Sequence, residues 1–127
     1  MTDLDPDGRS QALYQEGRRL LDAGELSQAI EKLAASAEAL PHFKTLELLG
    51  EAWLRSGVPH RAITPLAAAT TLNSQVRAPS LLAEALLACG QDVEAHRISL
   101  TALERDPNNR KAREVCEATR ERYEASL

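Results

Sequence analysis

An all-α solenoid, built from stacked pairs of antiparallel helices, is the fold this sequence predicts. Three observations lead there. The chain repeats itself at a spacing of 33 residues in four columns: Gly24, Gly57 and Gly90; Ala29, Ala62 and Ala95; Gly17, Gly50 and Ala83; Leu20, Trp53 and Leu86. A fixed period in this range marks units that stack in one dimension. Within each unit the apolar residues recur at helical spacing, as Leu46, Leu49 and Trp53 do. Hydrophobic residues make up 43% of the chain but aromatics only 3%. A core of Ala and Leu suits close-packed helices, whereas strands favour β-branched and aromatic residues.

The opening, Met1 to Gly8, carries three Asp, a Pro and a Gly, and reads as a flexible arm. Residues 9–127 read as a single domain. From Arg9 the pattern turns helical, with Leu13, Leu20 and Leu21 before Gly24, where positive φ is cheap. A second helix carries Leu26, Ala29, Ile30, Leu33 and Ala37 on one face and ends before Pro41. The short loop makes the two helices antiparallel neighbours.

The second unit repeats the plan. Gly57 ends its first helix, and Pro59 starts the next, where a missing N–H costs nothing. Ala62, Ile63, Leu66 and Ala69 form the buried face. Pro65 lies inside that helix and removes a hydrogen bond to Arg61, so it reads either as a change of curvature or as a tolerated defect.

In the third unit Leu82, Leu86 and Leu87 precede Gly90, and Val93, Ala95, Ile98, Ala102 and Leu103 follow. Ser99 stands where Leu33 and Leu66 stand in the earlier units, which predicts looser packing. His96 takes the column of Ile30 and Ile63 and reads as a packing histidine. Pro41 and Pro107 lie two periods apart with Ser74 midway. The last segment has a narrow apolar face of Ala112, Val115, Cys116, Thr119 and Tyr123 and is otherwise highly charged. A solenoid needs such a terminal element to stay soluble. Seven helices are expected, near 10–23, 26–39, 43–56, 59–73, 77–89, 92–105 and 109–124.

A net charge of −4 argues against a general nucleic-acid binder and against an anionic membrane surface. Cys89 and Cys116 lack metal-ligand spacing and read as reduced thiols. The opening has no signal-peptide core and no run is long enough to cross a bilayer, so a cytoplasmic protein is expected. No phosphate loop or nucleophile motif is present, and carboxylates are spread over helix surfaces. We therefore expect no enzyme, no catalytic residue, no metal and no cofactor.

The units resemble tetratricopeptide repeats, whose pattern is W-x2-L-G-x2-Y, then A-x3-F, then P, in about 34 residues. Unit two reads Leu46-x2-Leu49-Gly50-x2-Trp53, then Ala62-x3-Leu66, with Ser74 in place of Pro. Unit one ends on Ala29-x3-Leu33 and Pro41, and unit three on Ala95-x3-Ser99 and Pro107. The resemblance implies a right-handed superhelix with repeats about 10–42, 43–75 and 76–108, and a capping helix at 109–125.

The resemblance also implies that the first helix of each pair lines a concave, partner-binding groove. Its candidate residues are Tyr14, Arg18 and Leu21 in unit one, and Lys44, Glu47, Leu48, Glu51 and Leu54 in unit two. Unit three adds Arg77, Leu81, Glu84 and Leu87. Some relatives hold a C-terminal carboxylate with a fixed set of Lys, Asn and Arg. Here Tyr14, Arg18, Leu48 and Leu81 occupy those columns, and only the basic residue at Arg77 matches, so that clamp is not supported. Leu21, Leu54 and Leu87 make a ladder, with Leu48 and Leu81 in a second column. The ladder is either an apolar stripe for a partner or packing between repeats.

Arg18 and Glu51 are candidates to pair with each other, and Arg77, Arg110 and Arg113 are expected to make the C-terminal end basic. The function expected is a protein-interaction module, an adaptor or small chaperone that takes a peptide or amphipathic helix of another protein. The alternative is a self-assembling structural subunit, a homo-oligomer joined through its groove or a solenoid end.

Overall fold

A computed structural model describes residues 5–73 and 77–127. Among the described residues there are seven α-helices and no strand. They are α1 (Pro6–Asp22), α2 (Leu26–Ala39), α3 (Phe43–Arg55), α4 (Pro59–Leu72), α5 (Ala78–Ala88), α6 (Asp92–Arg105) and α7 (Arg110–Ala125). Apart from the start of α1, every helix end falls within one residue of the expected position.

Part of the segment expected to be an arm is helical, since Pro6, Asp7 and Gly8 belong to α1. Asp5 caps that helix, its carboxylate accepting from the Gly8 N–H at 2.7 Å. Pro6 then sits in the first turn, where no N–H is needed. Residues 1–4 of that arm and Ser74 lie outside the described residues.

Each pair turns on a glycine. Gly24, Gly57 and Gly90 have φ of 80°, 78° and 77°. After each one the next N–H reaches back to close the helix end: Glu25 to the Leu20 carbonyl at 2.9 Å, Val58 to Trp53 at 3.0 Å, and Gln91 to Leu86 at 2.9 Å. This is the Schellman arrangement, which satisfies carbonyls that a helix end leaves open. The glycine column and the column of Leu20, Trp53 and Leu86 are thus two halves of one stop signal.

The second helices end alike. Leu40 and Asp106, each followed by proline, are extended at φ −160° and −145°. Asn73 takes the same form at φ −149° with Ser74 after it, so this conformation does not require a following proline.

Close approach within a pair depends on the small columns. A Cβ built on Gly17 would stand 2.7 Å from Cγ of Leu33, and one on Gly50 would overlap Leu66 more closely still. Leu33 and Leu66 are fully buried. In the third unit Ala83 supplies the Cβ and Ser99 replaces the leucine, and both are 0% exposed. The smaller Ser99 leaves room for the added methyl of Ala83, and neither residue is reached by solvent. The Ser99 hydroxyl donates to the His96 carbonyl at 2.7 Å. Helix α4 runs on through the buried Pro65.

Two core clusters form, one around Leu20, Leu21, Leu33 and Leu49, the other around Leu66, Leu82, Leu86 and Val115. Half-buried Trp53 packs against both and links them. At the N-terminal end Ser10 and Ser36 replace apolar contact with a hydroxyl clasp, Ser36 donating to the Ser10 carbonyl at 2.7 Å. Buried polar groups persist only when bonded in this way.

The cap docks through His96. Its ring is buried, stacks on Tyr123 at 4.3 Å, and has Nδ1 2.9 Å from Thr119 Oγ1. The Thr119 hydroxyl also lies 2.7 Å from the Val115 carbonyl of its own helix, so the joint is anchored to the α7 backbone.

Gly50→Leu should lower stability by about 1–3 kcal/mol or more through overpacking against Leu66, read by chemical denaturation. Deleting residues 110–127 should uncover the Leu82 and Leu86 cluster that Val115 covers. Aggregation on size exclusion and a lower melting temperature are expected; an equally stable monomer would show α7 to be an appendage.

Candidate partner-binding groove

The curvature assigns the faces. α1 touches α3 and α3 touches α5, whereas among the described residues no contact joins α2 to α4 or α4 to α6. Elements on the inside of a curve crowd together, so the first helices line the concave side. Two cavities open there. One of about 320 Å³ lies between α1 and α3, reached by Tyr14, Arg18, Phe43, Lys44 and Leu48. The other, about 440 Å³, is bounded by Leu54, Ser80, Glu84 and the start of α7. Glu51 and Arg77 border both.

The ladder divides. Leu21 is 1% exposed and Leu81 6%, so neither offers area to a partner. Leu21 sits in the first core cluster and Leu81 in the second. Leu48, Leu54 and Leu87 are half-buried, each packed against a cluster while keeping some surface. The reason is the same crowding: where successive first helices approach, their side chains fill the seam first and face the groove second. The column is thus chiefly inter-repeat packing, with Leu48, Leu54 and Leu87 left as its apolar surface.

The charged groups are more ordered than their spacing suggests. Arg77, just before α5, donates from Nε to Glu47 Oε1 at 2.8 Å and from Nη2 to Glu51 Oε1 at 2.6 Å. Burial on its own would lower the Arg77 pKa, but the charge of Glu51 and the bonds to both carboxylates outweigh it, and the net shift is upward. Glu51 is taken by Arg77, and more loosely by Arg55 at 4.0 Å, so the expected Arg18–Glu51 pair does not form. Among the described residues no ion pair involves Arg18 or Lys44. The expected basic end is largely neutralised, since Arg77 is engaged and Arg110 pairs with Glu114 at 3.3 Å.

Three lining residues escaped the repeat columns. Lys111 lines the larger cavity and meets Glu84 at 3.1 Å, Asn109 lies beside it, and Phe43 opens the smaller one. The cap packs on α5 where a further first helix would go, so its first turn extends the groove. The acidity of Glu84 facing a later basic residue was the available signal.

No family model matches the chain, and no curated protein matches it significantly. Solved structures do. The first tetratricopeptide domain of Spaghetti (RPAP3), bound to the HSP90 peptide SRMEEVD, aligns with a TM-score of 0.83 at 21% identity, over 91% of this chain and 93% of that one. The second such domain of human RPAP3, in complex with the HSP70 peptide SGPTIEEVD, aligns at 0.83 and 19% identity, over 91% and 98%. The Sgt2 domain from Aspergillus fumigatus aligns at 0.78 and 21%, over 92% and 80%. Identities this low speak for the fold alone. The agreement of these alignments with the glycine stops, the small columns and the seven helices leads to one conclusion: this chain has the tetratricopeptide-repeat fold, three repeats closed by a capping helix.

Proposed function

We propose that the concave face binds an extended segment or amphipathic helix of another protein, as an adaptor or small chaperone in the cytoplasm and not as an enzyme. The observation that carries this reading is the half-buried trio Leu48, Leu54 and Leu87, one or two to each of the later first helices, set between two cavities. Apolar surface that the fold leaves uncovered beside concave space suits a partner's apolar side chains. That similar folds hold peptides supports the same use of this face.

The opposed charges along the groove nearly cancel: Arg77 is held by Glu47 and Glu51, and Lys111 by Glu84. Affinity then comes mainly from apolar burial, and its dependence on salt is weak. Leu48 and Leu81 stand where a carboxylate clamp needs polar and basic side chains, which argues against an acidic tail as the occupant.

Leu54→Glu places a charge beside the larger cavity. It should abolish binding of a partner captured from the native host while circular dichroism stays helical. Glu25→Lys, on the exposed turn after Gly24, should change nothing. Titration of the partner against both variants checks this. Unchanged affinity in Leu54→Glu, with mass rising over a concentration series, would replace the groove reading with self-assembly through a solenoid end.

A further inference from the structure

We infer that Glu47 and Glu51 are selectivity residues that deny the groove to carboxylate ligands by occupying Arg77, and that neutralising them uncovers a latent anion site. This deepens the groove reading and rests on it for its place in the protein. The geometry is specific. Two of the three polar nitrogens of Arg77 are bonded, at 2.8 and 2.6 Å, to carboxylates one helical turn apart on α3. One guanidinium against two carboxylates leaves the trio with one net negative charge, which Arg55, 4.0 Å from Glu51, offsets from the larger cavity's side. An incoming acid therefore finds the guanidinium that borders both cavities already engaged, with two carboxylates beside it.

The Arg77 side chain is 51% exposed, whereas those of Glu47 and Glu51 are 12% and 21% exposed, so the carboxylates sit largely inside the groove wall while the guanidinium reaches solvent. A guanidinium that reaches the groove and is already bonded to two carboxylates fits a role in discrimination, which often works through a built-in repulsive element. The surroundings favour anions once the carboxylates are gone. Arg18 and Lys44 line the cavity that Arg77 borders; among the described residues they have no ion pairs of their own, and Asp22 is the one further acid in that lining. Lys44 also lies in the first turn of α3, where the helix dipole is positive.

The test uses the full chain and a defined probe, a fluorescein-labelled peptide of Ala, Glu and Asp ending in Glu-Asp with a free carboxylate. Its uncharged counterpart, built with Gln and Asn and ending in an amide, is the control. Fluorescence anisotropy on Glu47→Gln/Glu51→Gln should show at least about tenfold tighter binding of the acidic probe than the parent, weakening with salt and absent for the control. Adding Arg77→Ala to that double variant should remove the gain. If the double variant melts early, Glu51→Gln alone is measured and should show a smaller gain in the same direction. The inference is overturned if the parent already binds the acidic probe as tightly, if a folded variant gains nothing, or if the gain survives Arg77→Ala. Because no natural partner is involved, failure here is distinct from failure of the groove reading, which Leu54→Glu decides.

Discussion

The close contact between the two helices of each pair is the constraint on which the solenoid depends. Gly17 against Leu33 and Gly50 against Leu66 leave no room for one added carbon. That proximity lets the remaining apolar residues, few of them large, close a core at ordinary density. The third pair obeys the same rule with different residues, since Ala83 and Ser99 redistribute the volume between the two helices. Interiors tolerate such exchanges when total volume is kept. The constraint belongs to the pair, so a column read in one helix alone misses it.

Stacking then transmits the pair geometry along the chain. Trp53 reaches both core clusters and its carbonyl accepts the bond that ends α3, so one residue serves the turn, the pair and the link between units. The guanidinium of Arg61 lies 5.2 Å over its ring, covering the side that remains partly exposed. Helix α5 is nearly surrounded, touched by α3, α4, α6 and α7, which is why almost every residue of it is buried. The cap closes this unit with a polar joint, His96 to Thr119, inside an otherwise apolar seam. A bonded polar pair fixes the angle of docking more sharply than Ala and Leu could.

Curvature links the fold to the binding reading. The first helices touch their successors, and their leucines fill the seams before they face the groove. Backbone packing thus decides how much apolar surface is left for a partner. The same approach brings Arg77 within reach of Glu47 and Glu51 across the repeat boundary. Packing between repeats and the ion pairs of the groove thus share one surface, with Glu47 and Glu51 a single helical turn apart on it.

The sequence by itself determined the class and register of the fold. The columns of Gly24, Gly57 and Gly90 and of Gly17, Gly50 and Ala83 encode local stops and close approaches, and both are properties of a few neighbouring residues. Helix ends followed because their signals are local too, except at α1, where Asp5 capping was hidden behind an acidic, apparently structureless opening. What only the tertiary structure decided was contact between residues far apart in the chain. Leu21 and Leu54 share a column, yet one is buried and the other half-exposed, because exposure depends on the neighbouring repeat and on chain ends. Arg77 pairs with Glu51, 26 positions away, instead of leaving its charge to a basic C-terminal end, and the Arg18–Glu51 pair that the spacing offered does not form. Periodicity specifies which face a residue lies on; which side chains meet across that face depends on rotation and pitch, which emerge only when the units stack.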